Sequence, residues 1–142
     1  MSPINAYLTF DGNAAQAMRF YEQVLNGKLE MMMTMGEMPG GEGQKMPADQ
    51  QQRIMHAALS FGGGMLMASD TMCDSAPYEG MKGFGVAVSL PSAAEAKRVF
   101  DAFADGGTVQ MPLEPTFWAE VFGMVVDRFG TPWLVNGPDK SF

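Results

Sequence analysis

The stretch Asn13-Ala14-Ala15-Gln16-Ala17-Met18-Arg19-Phe20-Tyr21 returns 79 residues later as Ser92-Ala93-Ala94-Glu95-Ala96-Lys97-Arg98-Val99-Phe100. Ala14/Ala93, Ala15/Ala94, Ala17/Ala96 and Arg19/Arg98 match, and Tyr21/Phe100 and Gly27/Gly106 continue in register. An alanine-rich helix alone could repeat by chance. Here a strand-like run precedes each copy, Ala6 to Phe10 and Val86 to Leu90, and a glycine follows each. Strand, cap, helix and closing glycine in one order mark an internal duplication.

Each copy carries helix boundaries. Asn13 is placed to cap the first helix, after a turn freed by Gly12. Ser92 and Glu95 have capping-box spacing. Gly27 and Gly106 fall where a left-handed closing residue is expected. Ala17, Phe20, Tyr21, Val24 and Leu25 form one apolar stripe, and Ala96, Val99, Phe100 and Phe103 the other; each needs a sheet to pack on. Three strand-like runs follow each helix: Lys28 to Met35, Ile54 to Phe61 and Met65 to Ser69, then Thr108 to Met111, Glu120 to Val126 and Trp133 to Asn136. Gly62-Gly63-Gly64 and Arg128-Phe129-Gly130-Thr131 read as hairpin turns. Asp11, Asp70 and Asp127 read as turn residues. The expected fold is α+β, one domain over 1–142 built of two βαβββ modules at 1–75 and 76–142.

Two segments break the pattern. Gly36 to Arg53 is rich in Gly, Pro, Gln and charge, and reads as a flap over a pocket. Thr71 to Lys82 joins the halves. It holds Cys73, the only cysteine, which has no evident base nearby to make it a nucleophile.

Composition narrows the function classes. The chain has 142 residues, 46% hydrophobic and 18% charged, which suits a globular domain. A net charge of -7 with no basic stripe argues against nucleic acid as a partner. No apolar run approaches the ~20 residues of a membrane span. Met1-Ser2-Pro3 enters a strand-like run with no secretory signal, and a lone cysteine allows no internal disulfide, so a cytoplasmic location is expected. The 15 methionines are an excess. Most suit irregular core packing, and some suit an adaptable pocket wall.

Several segments together resemble the vicinal oxygen chelate superfamily, which includes glyoxalase I, extradiol dioxygenases, fosfomycin-resistance enzymes and bleomycin-binding proteins. They are Tyr7-Leu8-Thr9-Phe10 with Phe20-Tyr21, then His56-Ala57-Ala58-Leu59 with Gly63-Gly64 and Asp70. Phe117-Trp118 and Gly123 to Trp133, with its Asp-x-Phe-Gly-x-x-Trp pattern, complete them. Within the superfamily the chain is similar to the PhnB-like branch, sometimes labelled similar to demethylubiquinone methyltransferase. The resemblance implies eight strands curled into a mixed sheet around a cup, and a homodimer.

It also implies a test for a metal. Metal-dependent members place His or Glu on the first and last strand of each module. The matching positions here are about Asn5, Met67, Gly85 and Leu134, which make a poor donor set. No metal or other cofactor is therefore expected. Phe61-Gly62-Gly63-Gly64 leads into strand-like residues rather than a helix, so it is no dinucleotide or methyl-donor loop.

His56, the only histidine, and Glu120 both fall on the third strand of their module in this reading. They are the candidates for an acid/base pair or for polar anchors. Tyr7, Met67, Phe117 and Trp118 are the candidate pocket walls, while Phe122 and Trp133 suit the core. Two functions compete. One is a small-molecule-binding protein without the usual metal site. The other is a metal-dependent or metal-free lyase, isomerase or dioxygenase-type enzyme acting on a small oxygen-bearing molecule.

Overall fold

The structure is a computed structural model that describes residues 4–41, 43–71 and 77–140. It divides into two units, 1–80 and 81–142. The first contains β1 (Ala6–Phe10), α1 (Ala14–Leu25), β2 (Lys28–Thr34), α2 (Ala48–Gln51), β3 (Ile54–Phe61) and β4 (Gly64–Asp70). The second contains β5 (Val86–Ser89), α3 (Ala93–Ala104), β6 (Thr108–Glu114), β7 (Phe122–Val126) and β8 (Pro132–Asn136). Apart from the short α2, both units run β-α-β-β-β, as the repeat requires.

The strands form two four-stranded sheets, ordered β1-β4-β3-β2 and β5-β8-β7-β6. In each, the first strand pairs parallel with the last and the other pairs are antiparallel. The long helix of each unit covers one sheet face. α1 buries Ala14, Ala17, Met18, Tyr21, Val24 and Leu25 among contacts with β2, β3 and β4. α3 buries Ala96, Val99, Phe100 and Phe103, and Phe103 stacks on Trp133 of β8 with ring centroids 4.3 Å apart. Each large apolar side chain so covered contributes roughly 1.5–3 kcal/mol.

The repeat extends to an irregularity. Leu29 pairs with Leu59 but Met31 with Ala58, leaving Glu30 as an extra residue in β2. Val109 pairs with Val125 but Met111 with Met124, leaving Gln110 extra in β6. Side chains alternate along a strand, so such a bulge reverses the faces of the residues beyond it. Leu29 therefore faces α1, while Met31 and Met33 lie on the opposite, open face.

Helix boundaries depart from expectation at three points. Asn13 makes no capping hydrogen bond. Asp70, at the end of β4, holds the helix start instead, at different amides: its Oδ1 accepts from Gly12 and Ala14 at 2.8 and 3.1 Å. Its Oδ2 accepts from the Ile54 amide at 2.8 Å. At the other end of α1 the left-handed residue is Asn26 (φ 54°), not Gly27. Gly27 is needed for space, because a Cβ there would lie 2.6 Å from the Ser60 carbonyl oxygen. In the second unit Ser92 accepts from the Glu95 amide at 3.1 Å, but Glu95 pairs with Arg98 rather than closing the box. Gly106 takes the expected positive φ of 78°.

The segment expected to be a featureless flap carries structure. Met35–Glu37 and Gly43–Lys45 are single 3-10 turns, Pro39–Gly41 turns through Gly40 at a φ of 82°, and α2 follows. Met35 is buried, and a Cβ on Gly43 would collide with the Met35 carbonyl. The Gln51 side-chain amide donates to the Met46 carbonyl at 2.8 Å. Glu37 accepts from the Thr34 amide and hydroxyl, which hold its carboxyl below the usual range against some desolvation. Cys73 lies outside the described residues.

Two predictions follow from the carboxylates of the first unit. Asp70→Ala strands two buried amides and a part-buried one and should cost about 2–4 kcal/mol in urea unfolding, whereas Asn13→Ala should cost under ~0.5 kcal/mol. Asp11 accepts from Arg53 at 2.8 Å and Thr71 at 3.2 Å. The Arg53 hydrogen bond is the main cause holding its carboxyl below the ordinary value, followed by Thr71. The folded state thus favours ionised Asp11. That contribution is complete above the unfolded carboxylate pKa of about 4, and fades as pH falls through the lower folded value. Acid unfolding of Asp11→Asn should lack this component, leaving a flatter stability profile below about pH 4.

Candidate functional site

On the open face of the first sheet, strand register aligns side chains in rows. Tyr7 of β1 pairs with Met67 of β4, Met67 with Ala58 of β3, and Ala58 with Met31 of β2. In the next row His56 of β3 pairs with Met33 of β2. Tyr7 Oη lies 3.1 Å from His56 Nδ1, and the two rings are 5.6 Å apart at 32°. Tyr7 is 48% exposed and His56 half-buried, so the polar pair is reachable but anchored. Met31 and Met65 add exposed thioethers to the same face.

Three of the residues named from sequence thus come together: Tyr7, His56 and Met67. Phe117, Trp118 and Glu120 stand in the other unit, in the segment between β6 and β7. Glu120 is exposed and precedes β7, which starts at Phe122; the strand expected from Glu120 onward is two residues shorter. The Glu120 amide donates to the Pro138 carbonyl at 2.9 Å, outside the ladder. In strand register the residue that matches His56 is Phe122, which pairs with Glu114 as His56 pairs with Met33. Trp118 packs edge-on against Phe117 and Phe122 with centroids 4.9 and 5.3 Å away, and Phe117 is 76% exposed.

The second unit has a recess of about 550 Å³ on its own open face. Phe84, Gly85, Gln110, Met124, Val126 and Leu134 are among its walls. A Cβ on Gly85 would meet the tip of the Leu134 side chain, which would have to shift to admit it. A smaller polar hollow of about 520 Å³ in the first unit is lined by Thr34, Gly36, Glu37, Gln44, Gln51 and Gln52.

The positions that would hold a divalent ion do not fit one. Register sets Tyr7, rather than Asn5, beside Met67, and Ala87 beside Leu134. With either choice the four positions offer no carboxylate and no imidazole. Among the described residues no three His, Cys, Asp or Glu side chains are grouped to hold a metal.

Asp127 is structural. Its Oδ1 accepts from the Phe129 and Thr131 amides at 2.8 and 3.1 Å, and its Oδ2 from Trp133 Nε1 at 2.8 Å. It therefore organises the last hairpin, as its turn position suggested. Sequence reading did not identify Met31 and Met33 as members of the Tyr7–His56 face, because the bulge at Glu30 decides their side.

Comparison with known proteins agrees with this architecture. Protein YjdN of Escherichia coli K12 is 35% identical over 141 residues, covering 94% of both chains. The crystal structure of protein PA1353 from Pseudomonas aeruginosa is 48% identical with a TM-score of 0.86, covering 96% of this chain and 98% of that one. A PhnB protein from Bacillus cereus shares the fold at 21% identity and a TM-score of 0.78, covering 96% of this chain and all of its own. Residues 4–135 match the family profile, and the chain belongs to the Glyoxalase/Bleomycin resistance protein/Dioxygenase superfamily.

Proposed function

We propose that the chain is a small-molecule-binding member of this superfamily that works without the family's usual divalent-metal centre. The observation that carries this reading is the Tyr7–His56 hydrogen bond set among methionines on an open sheet face. Apolar, polarizable walls with one oriented polar pair are what an uncharged or weakly polar ligand needs. Tyr7 supplies a phenol and His56 a ring nitrogen, so the pair both donates and accepts. Met67 and Met31 supply walls that can reshape around different ligands. In the second unit, taken by itself, Phe117 and Trp118 are the proposed aromatic walls. The acidic net charge favours such ligands over polyanions.

A catalytic reading uses the same face differently, with His56 as a general base or acid in a lyase, isomerase or dioxygenase-type reaction. The free ring nitrogen of His56 is the observation in its favour.

A panel of neutral aromatic fragments, followed through the methyl signals of 13C-labelled methionine, tests the binding reading. Fragments that bind should move Met31, Met33, Met65 and Met67 together. Tyr7→Phe and His56→Ala should each weaken binding about 3–10-fold, the worth of one hydrogen bond. Fragments that move only methionines elsewhere, or bind both variants unchanged, overturn the assignment. Elemental analysis after equilibration with Mn2+, Ni2+ or Zn2+ and desalting should find well under one ion per chain; a stoichiometric ion overturns the metal-free part.

A further inference from the structure

The open face of the first sheet gathers soft donors around the chain's single imidazole. Met33 stands directly across from His56, and Met31 and Met67 flank Ala58 in the adjacent row. Directly paired Cβ atoms lie about 5 Å apart and diagonal ones about 7–8 Å, within reach of long side chains. Three thioethers and one imidazole can therefore converge without moving the backbone. His56 Nδ1 is engaged by the Tyr7 hydroxyl at 3.1 Å, and among the described residues Nε2 has no hydrogen-bond partner.

We propose that this face binds one soft monovalent cation of the cuprous type, with His56 Nε2 and the Met33 thioether as ligands and Met31 or Met67 completing the set. Thioether and imidazole ligands select such ions, whereas magnesium, calcium and manganese need carboxylate or carbonyl oxygen. The nearby carboxylate of Glu30 is already engaged by Ser60 at 2.8 Å and Lys28 at 3.8 Å. Tyr7 has the part that a hydrogen-bonding neighbour plays for most metal-bound histidines. It accepts from Nδ1–H, fixes the ring and leaves the Nε2 lone pair for the ion.

The second unit supplies an internal comparison. At the matching register positions His56 is replaced by Phe122, Met33 by Glu114 and Met67 by Leu134, while Met31 is matched by Met111. The fold is duplicated and the soft-donor set is not. Packing alone would not demand methionine on both strands flanking the histidine's strand, since leucine fills Met67's place in the other sheet. The proposal shares its face with the small-molecule reading and stands without it. It involves no electron transfer.

The test is anaerobic competition of the full chain with bicinchoninate for Cu(I), read by the chelator's absorbance. One Cu(I) per chain is expected. His56→Ala and Met33→Leu should each weaken it at least tenfold, while Met111→Leu and Cys73→Ser leave it unchanged. Met33→Leu nearly conserves volume, and thermal unfolding of each variant confirms folding. Silver(I), a redox-inert stand-in, should shift the Met31, Met33 or Met67 methyl signals and the His56 ring nitrogens. Retention of all Cu(I) by the chelator, equal affinity in His56→Ala, or loss of binding in Cys73→Ser overturns the proposal. If aromatic fragments still move these methyls while silver does not, this proposal fails and the small-molecule reading survives. The reverse result removes that reading and supports this one.

Discussion

Side chains on a strand alternate, so the placement of one inserted residue decides what a sheet face can do. In β2 that residue is Glu30. It lets Leu29 join Leu59 under α1 and turns Met31 and Met33 toward Ala58 and His56. Without it, Leu29, Met31 and Met33 would share a face, and either the core would lose Leu29 or the histidine would lose its thioether neighbours. Gln110 does the same in β6. The bulge is thus part of the duplicated plan, and the composition of each open face follows from it.

The faces are held in place by two buried carboxylates, each satisfied by three N–H donors. Asp70 joins the start of α1 to the start of β3, residues far apart in the chain. Asp127 closes the last hairpin on itself and on the indole of Trp133. Burying a charge is costly unless its hydrogen bonds are made, so these residues specify geometry as well as stability. Asp70 matters most for the site, because the strands it ties together, β3 and β4, carry His56 and Met67.

Much of this architecture was legible in local sequence. The repeat gave both βαβββ units, and β1 and β3 run between the residues that alternation and turns indicated. What local sequence could not give was non-local. Asn13 is a good capping residue by type, but the carboxylate that holds this helix start is Asp70, which accepts from the Ala14 amide 56 residues away. Gly27 is a plausible helix terminator, yet its role is to admit the Ser60 carbonyl, a contact made by strand pairing. Tyr7 and His56 were recognisable separately as an aromatic wall and a lone histidine; their hydrogen bond spans 49 residues and depends on β4 lying between their strands. Glu120 was drawn into a strand by the apolar run after it, whereas the ladder begins with Phe122 opposite Asn136.

The two units therefore separate scaffold from chemistry. Strand order, bulge, helix placement and the glycine beneath each helix-to-strand crossing recur, and these set where side chains stand. The side chains themselves have diverged. One open face carries an imidazole, a phenol and several thioethers; the other carries Phe122, Leu134, Met124 and a glycine that opens a recess. Topology cannot explain that difference, because the topology is the same. It has to be read from residue chemistry, and there the divergence is directional: hard-ligand positions hold Met67 and Leu134, while soft and aromatic groups gather about His56. A ligand taken up on such a face would be held by polarizability and one oriented hydrogen bond, a different chemistry from a carboxylate-held divalent ion.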